Sequence, residues 1–147
     1  MTRIVTSVEI ARAPEDVFAY VTDPSHLPEW QASVVSVQHD DTAAHVGKRA
    51  VVTRQAGPRK MESTAEIAEL TPPRSWSIRG LDGPVRGNVK GRIDPLDDGA
   101  RSRVTIELEL EGRGIGKILL ALLVNRQAQR EMPANAQMLK EHLEGSR

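Results

Sequence analysis

Few side chains in this sequence are spaced for chemistry. The densest polar stretch is HDDTAAH, residues 39 to 45, in which two histidines bracket adjacent carboxylates. That set could hold a metal ion. Its run of small polar residues between apolar segments reads instead as a solvated hairpin connection, and no metal is expected. The remaining histidines, His26 and His142, have no partner in a recognisable motif. GRGIG, residues 112 to 116, resembles a fragment of a phosphate loop but lacks the lysine–serine or the strand and helix setting such a loop needs. Acid–base catalysis would need a histidine or carboxylate on an inward-facing phase. By strand alternation Glu107 and Glu109 face outward, and Glu62 and Glu66 oppose Met61, Ala65 and Ile67. These placements argue against a catalytic site.

Three other polar residues sit where apolar ones are expected. Arg54 shares its strand phase with Ala50 and Val52, and Asn125 and Gln129 continue an apolar helical stripe. A polar group buried without a partner costs a few kcal/mol, so these residues should meet each other or a ligand's oxygen. A rotated helix would leave them solvated instead.

The elements that would position these groups follow from periodicity. Residues 3 to 11 alternate, with Ile4, Val8 and Ile10 on one side of a half-buried strand. Pro14, Glu15 and Asp16 then suit the first turn of a helix through Val21. Asp23 before Pro24 ends that helix and can cap a second short turn running to Trp30. From residue 33 to 111, strand-length segments alternate with Gly57-Pro58, Pro72-Pro73 and Gly83-Pro84 turns. The last strand has Ser102, Val104, Ile106, Leu108 and Leu110 on one face and charged residues on the other. Such alternation predicts an antiparallel meander covered on a single side. Between Ile67 and Leu70 the apolar phase slips by one residue, as at a β-bulge.

Helical character follows GRGIG to about Glu144, with Met132, Ala136, Leu139 and Leu143 forming one stripe. Stepping back at the same spacing gives Gln129, Asn125, Leu122 and Ile118, across Pro133, which should kink the helix. Leu120, Leu123 and Val124 then point away from the sheet. An exposed apolar strip of this kind marks a contact with a second copy, a partner or a membrane surface.

Composition bounds the function. A chain of 147 residues is expected to form a single domain over residues 1 to 147, large enough for a core and an internal cavity. Twenty basic residues balance 20 acidic ones, so no overall field favours nucleic acid, and none is expected as a partner. Cysteine is absent, which removes thiolate chemistry and fits a reducing, cytoplasmic setting. No apolar run reaches the roughly 20 residues of a membrane-spanning helix.

The order of elements, with ARAPEDVFAYVTDPSHLPEWQ after the first strand, resembles the START-like (SRPBCC) superfamily, the polyketide cyclase/dehydrase and lipid-transport group. ELTPPRSW at 69 to 76 and KEHLE at 140 to 144 add to the likeness. The resemblance implies an α+β helix-grip fold, a curved antiparallel seven-stranded sheet wrapped around a long C-terminal helix, with two short helices after the first strand. It also implies a cavity between sheet and helix that binds a small hydrophobic or aromatic molecule without a cofactor. Strand phase puts Trp76, Val89, Gly91 and Ile106 on its lining, and the resemblance adds Trp30 at its mouth. Arg54, Leu122, Asn125 and Gln129 would complete the ligand-binding set. Gly87 and Gly91 either leave room for a ligand or let elements pack closely. A non-catalytic carrier or sensor is the reading preferred; a polyketide cyclase/aromatase and a protein interaction module are the alternatives.

Overall fold

The computed structural model describes residues 2–119 and 124–145. Strand β1 (Thr2–Ile10) leads into α1 (Pro14–Val21), a 3-10 turn (Pro24–His26) and α2 (Leu27–Trp30). Six strands follow: β2 (Val34–His39), β3 (Arg49–Ala56), β4 (Arg59–Thr71), β5 (Ser75–Gly80), β6 (Val85–Leu96) and β7 (Arg101–Gly112). The chain then forms α3 (Gly116–Leu119) and the long α4 (Asn125–Gly145). The seven strands make one antiparallel sheet in the order β1-β7-β6-β5-β4-β3-β2. This is the helix-grip arrangement.

Local sequence accounts for the breaks. Pro14 occupies the start of α1, where its missing N–H is not needed, and Glu15 and Asp16 lie at the positive end of the helix dipole. Asp23 caps the next turn: its Oδ1 accepts from the Ser25 amide at 3.0 Å and from Ser25 Oγ at 2.7 Å. The phase slip in β4 is a bulge, since Ile67 pairs with Ile78 but Glu69 pairs with Ser77, leaving Ala68 over.

The sheet is dry on one face. Ile10, Ile93 and Val104 are buried against Val17 and Phe18 of α1 and Met132, Leu139 and Leu143 of α4. On the opposite face Arg3 meets Glu107 at 2.6 Å, and Glu66 lies between Arg49 and Arg79. A second, smaller cluster joins Val34, Ala50 and Val52 to Leu27 and Val37. The C-terminal end of α4 is fastened to the β1–α1 connection. Lys140 Nζ donates to the Glu9 carbonyl at 2.8 Å, Arg12 Nη1 to the Leu143 carbonyl at 2.7 Å, and the Ala11 amide to Glu144 Oε2 at 2.9 Å.

The stripe Met132, Ala136, Leu139 and Leu143 is buried as its spacing predicts. Upstream of Met132 the structure departs from the expected phase. From Met132 the inward line runs by steps of four through Ala128 to Val124, both on the inner wall, whereas Gln129 is exposed. A period of 3.6 allows a step of three or of four, and the expected stripe took three. Val124, expected on an outward strip, is therefore half-buried and faces inward. Leu120, Leu122 and Leu123 lie outside the described residues.

Candidate functional site

Between the dry face of the sheet and α4 lies a cavity of about 330 Å³. Its walls are mainly apolar. Ile67, Trp76, Val89 and Ile106 come from the sheet, Leu27 and Trp30 from the region of α2, and Met132 from α4. Trp30 is buried, turned inward by the proline-broken chain that precedes it. Trp76 stands edge-on to Phe18, with ring centroids 6.5 Å apart at 78°. Gly87 lies beside the side chains of Leu108 and Leu110, and all three line the space.

Gly91 has the other of its two possible uses. It lies opposite Trp76 in the β5–β6 register, and the indole covers the place a Cβ would take. The glycine seats a wall residue and does not itself open onto the cavity.

Polar groups gather where β3 faces α4. Arg54 lies on the wall at the end of the Ala50–Val52 phase, and its Nη1 donates to Ser33 Oγ at 3.2 Å. Loss of hydration weakens its charged form and pulls its pKa below the ordinary arginine value; the carboxylate of Glu131 acts in the opposite direction. Glu131 lines the cavity from the opposite side, on α4, where its Oε1 accepts from Gln127 Nε2 at 2.9 Å. Gln127 Nε2 also donates to the Gln55 carbonyl at 3.2 Å, tying α4 to β3. One turn further on, Asn135 Oδ1 accepts from the Ala32 amide at 3.2 Å.

This polar set differs from the expected one. Asn125 and Gln129 bond each other, with Gln129 Nε2 donating to Asn125 Oδ1 at 3.2 Å, and neither lines the cavity. The step of four that brings Ala128 inward carries Gln127 and Glu131 with it. A carboxylate thus stands on an inward phase, which strand alternation alone did not reveal. The available signal was the run Gln127, Glu131, Asn135, repeating every four residues beside Met132 and Ala136.

The histidines take no part. His26 stacks on Tyr20 at 4.1 Å, and its Nδ1 lies 3.0 Å from the Tyr20 carbonyl oxygen. The turn that carries His39 and His45 is organised by Asp40, whose carboxylate meets Thr42, and by the buried Lys48 amine, which donates to the Asp40 and Thr42 carbonyls. Lys48 is thereby spent on the loop.

A curved sheet gripping a long helix over a mainly apolar cavity defines a helix-grip fold. The sequence matches the family "Polyketide cyclase / dehydrase and lipid transport" over residues 1–144, and the chain belongs to that family. No curated protein matches it. Solved structures share its fold. TTHA0849 from Thermus thermophilus is 18% identical, with 99% of each chain covered and a TM-score of 0.80. The Zhui aromatase/cyclase from a Streptomyces species is 15% identical, covering 97% of this chain and 93% of its own, with a TM-score of 0.77. The di-domain ARO/CYC BexL is 18% identical with a TM-score of 0.74; 98% of this chain matches 47% of that one. Among the described residues no helix is long and apolar enough to cross a membrane.

Proposed function

We propose that the protein binds a small hydrophobic or aromatic molecule in the cavity between sheet and C-terminal helix, acting as a non-catalytic carrier or sensor. One observation carries the reading: a mainly apolar space of about 330 Å³ between sheet and helix, with Arg54 and Glu131 on its lining. That size falls at the small end of ligand pockets, which run from about 300 to 1,000 Å³. Trp30 and Trp76 on its lining supply flat surfaces for an aromatic body. The test is titration with an environment-sensitive hydrophobic dye, followed by displacement with aromatic or acyl compounds while tryptophan emission is read. Saturable, competitive uptake is expected; a folded protein that takes up no such probe refutes the reading.

A second reading is aromatase/cyclase activity on a polyketide-like chain. It is favoured by the family description, by the two aromatase/cyclases of the same fold, and by Glu131 on the cavity wall, a carboxylate able to move a proton. Incubation with a poly-β-carbonyl thioester distinguishes the two. Cyclised product that disappears in Glu131→Gln, with the fold retained, establishes turnover.

A further inference from the structure

The polar end of the cavity is built from two opposite charges that do not meet. Arg54 stands on β3 and Glu131 on α4, and among the described residues no ion pair joins them. The two walls are held in place next to both groups, because Gln127, one turn before Glu131, bonds the carbonyl of Gln55, the neighbour of Arg54. Among the described residues Arg54 gives one hydrogen bond, to Ser33, and Glu131 receives one, from Gln127. Most donors of the guanidinium and one carboxylate oxygen are thus left to whatever occupies the cavity. The nearby Lys48 amine is committed to the Asp40–Thr42 turn and adds no third charge directed at this end.

These two charges sum to zero, and they are split between facing walls, Arg54 on the sheet and Glu131 on α4. An anionic head group would satisfy Arg54 but stand against Glu131. A cationic one would do the reverse. A neutral group with an acceptor on one side and a donor on the other satisfies both at once, and desolvates at less cost on entering the cavity.

We propose that this end selects apolar molecules bearing a neutral head group that both accepts and donates hydrogen bonds, of which a primary carboxamide is the simplest, over the corresponding carboxylate or amine. The carbonyl oxygen lies toward Arg54 and the N–H toward Glu131. Discrimination arises from leaving one buried charge unpaired with the wrong head group.

This inference rests on the cavity being a binding site, and the test separates the two. Naphthalene, naphthamide, naphthoate and naphthylmethylamine are titrated calorimetrically into the intact protein at neutral pH. Naphthamide is expected to bind about tenfold or more tightly than naphthoate or the amine, the effect of one charge-assisted hydrogen bond lost. Glu131→Gln should raise naphthoate to at least the affinity of naphthamide, and Arg54→Gln should raise the amine, each with an unchanged circular dichroism spectrum. Naphthoate or amine binding as tightly as naphthamide in the wild type overturns the proposal, as does an unchanged ranking in either folded variant. Binding of naphthalene with no preference among head groups overturns this proposal alone. Failure of all four compounds to bind removes the cavity reading and the proposal with it. Should Glu131→Gln not fold, the wild-type ranking and Arg54→Gln still decide.

Discussion

Gly91→Ala is the smallest change that should disturb the cavity wall. In a strand interior, alanine ordinarily gains about 0.5–1 kcal/mol over glycine because less backbone entropy is lost on folding. Here the added Cβ would fall inside the Trp76 indole, with the ring's Cζ2, Cε2 and Cη2 the nearest atoms. No small adjustment removes that overlap, because Trp76 is buried and its ring is braced against Phe18. The indole must swing into the cavity or the β5–β6 pair must separate locally, and overpacking of this kind costs about 1–3 kcal/mol. Taken at mid-range, the two effects leave a net loss of about 1 kcal/mol, or roughly 2–4 °C in Tm for a domain of this length. Thermal melts followed by circular dichroism, with tryptophan emission recorded alongside, provide the assay. Combining Gly91→Ala with Trp76→Leu should cost less than the sum of the single changes, because the second removes the ring that the first strikes. A Gly91→Ala protein with wild-type Tm and unchanged emission would refute the reasoning, as would strict additivity in the double variant.

Deleting Ala68 should leave a protein that still folds by circular dichroism, since Ile67, Glu69 and Leu70 would then alternate as in a regular strand and keep their present partners on β5. Acid should destabilise the protein through its paired carboxylates. Arg103 and Arg101 hold Glu9 below the usual glutamate range, Arg49 and Arg79 do the same for Glu66, and Lys140 and the Ala11 amide for Glu144. A lowered folded-state pKa gives stability that is present above the unfolded value and lost as pH falls through the folded one. The Tm should therefore be steady from about pH 7 to 5 and fall below about pH 4 in a melt series. Glu144→Gln should lower stability by about 0.5–1 kcal/mol in urea titration, a modest effect because the Lys140 pair is partly exposed. The same change should flatten the acid limb.

Alternation in β7 and β1 was enough to place their faces, because one side of the sheet is buried and the other carries Arg3 and Glu107. The bulge at Ala68 was readable for the same reason: an inserted residue must shift the apolar phase. Arg54 likewise follows Ala50 and Val52 to the inner side. What strand alternation does not contain is the partner of each residue. That Trp76 lies over Gly91 depends on the β5–β6 register, which is set by the turn between them. Upstream of Pro133 the helix brings Gln127 and Glu131 to the cavity in place of the expected Asn125 and Gln129. The helical period leaves the choice between Gln129 and Ala128 open, and contacts with β3 through Gln127 decide it.

The two apolar clusters of the core are unequal. The larger ties α1 and α4 to β1, β6 and β7, while among the described residues Val34, Ala50 and Val52 have Leu27 and Val37 packed against them. The cavity touches both, with Trp76 and Met132 on one side and Ala50 and Val52 on the other. An occupant would therefore stand where a third piece of core is wanting, and its burial would be felt unevenly along the chain. Amides of β2 and β3 should exchange with deuterium sooner than those of β6 and β7 in the empty protein, and should gain the most protection on loading. Each tenfold excess of ligand over its Kd adds about 1.4 kcal/mol to the folded state. On the proposed function, the opening rate of β2 and β3 would track how much ligand the surroundings contain.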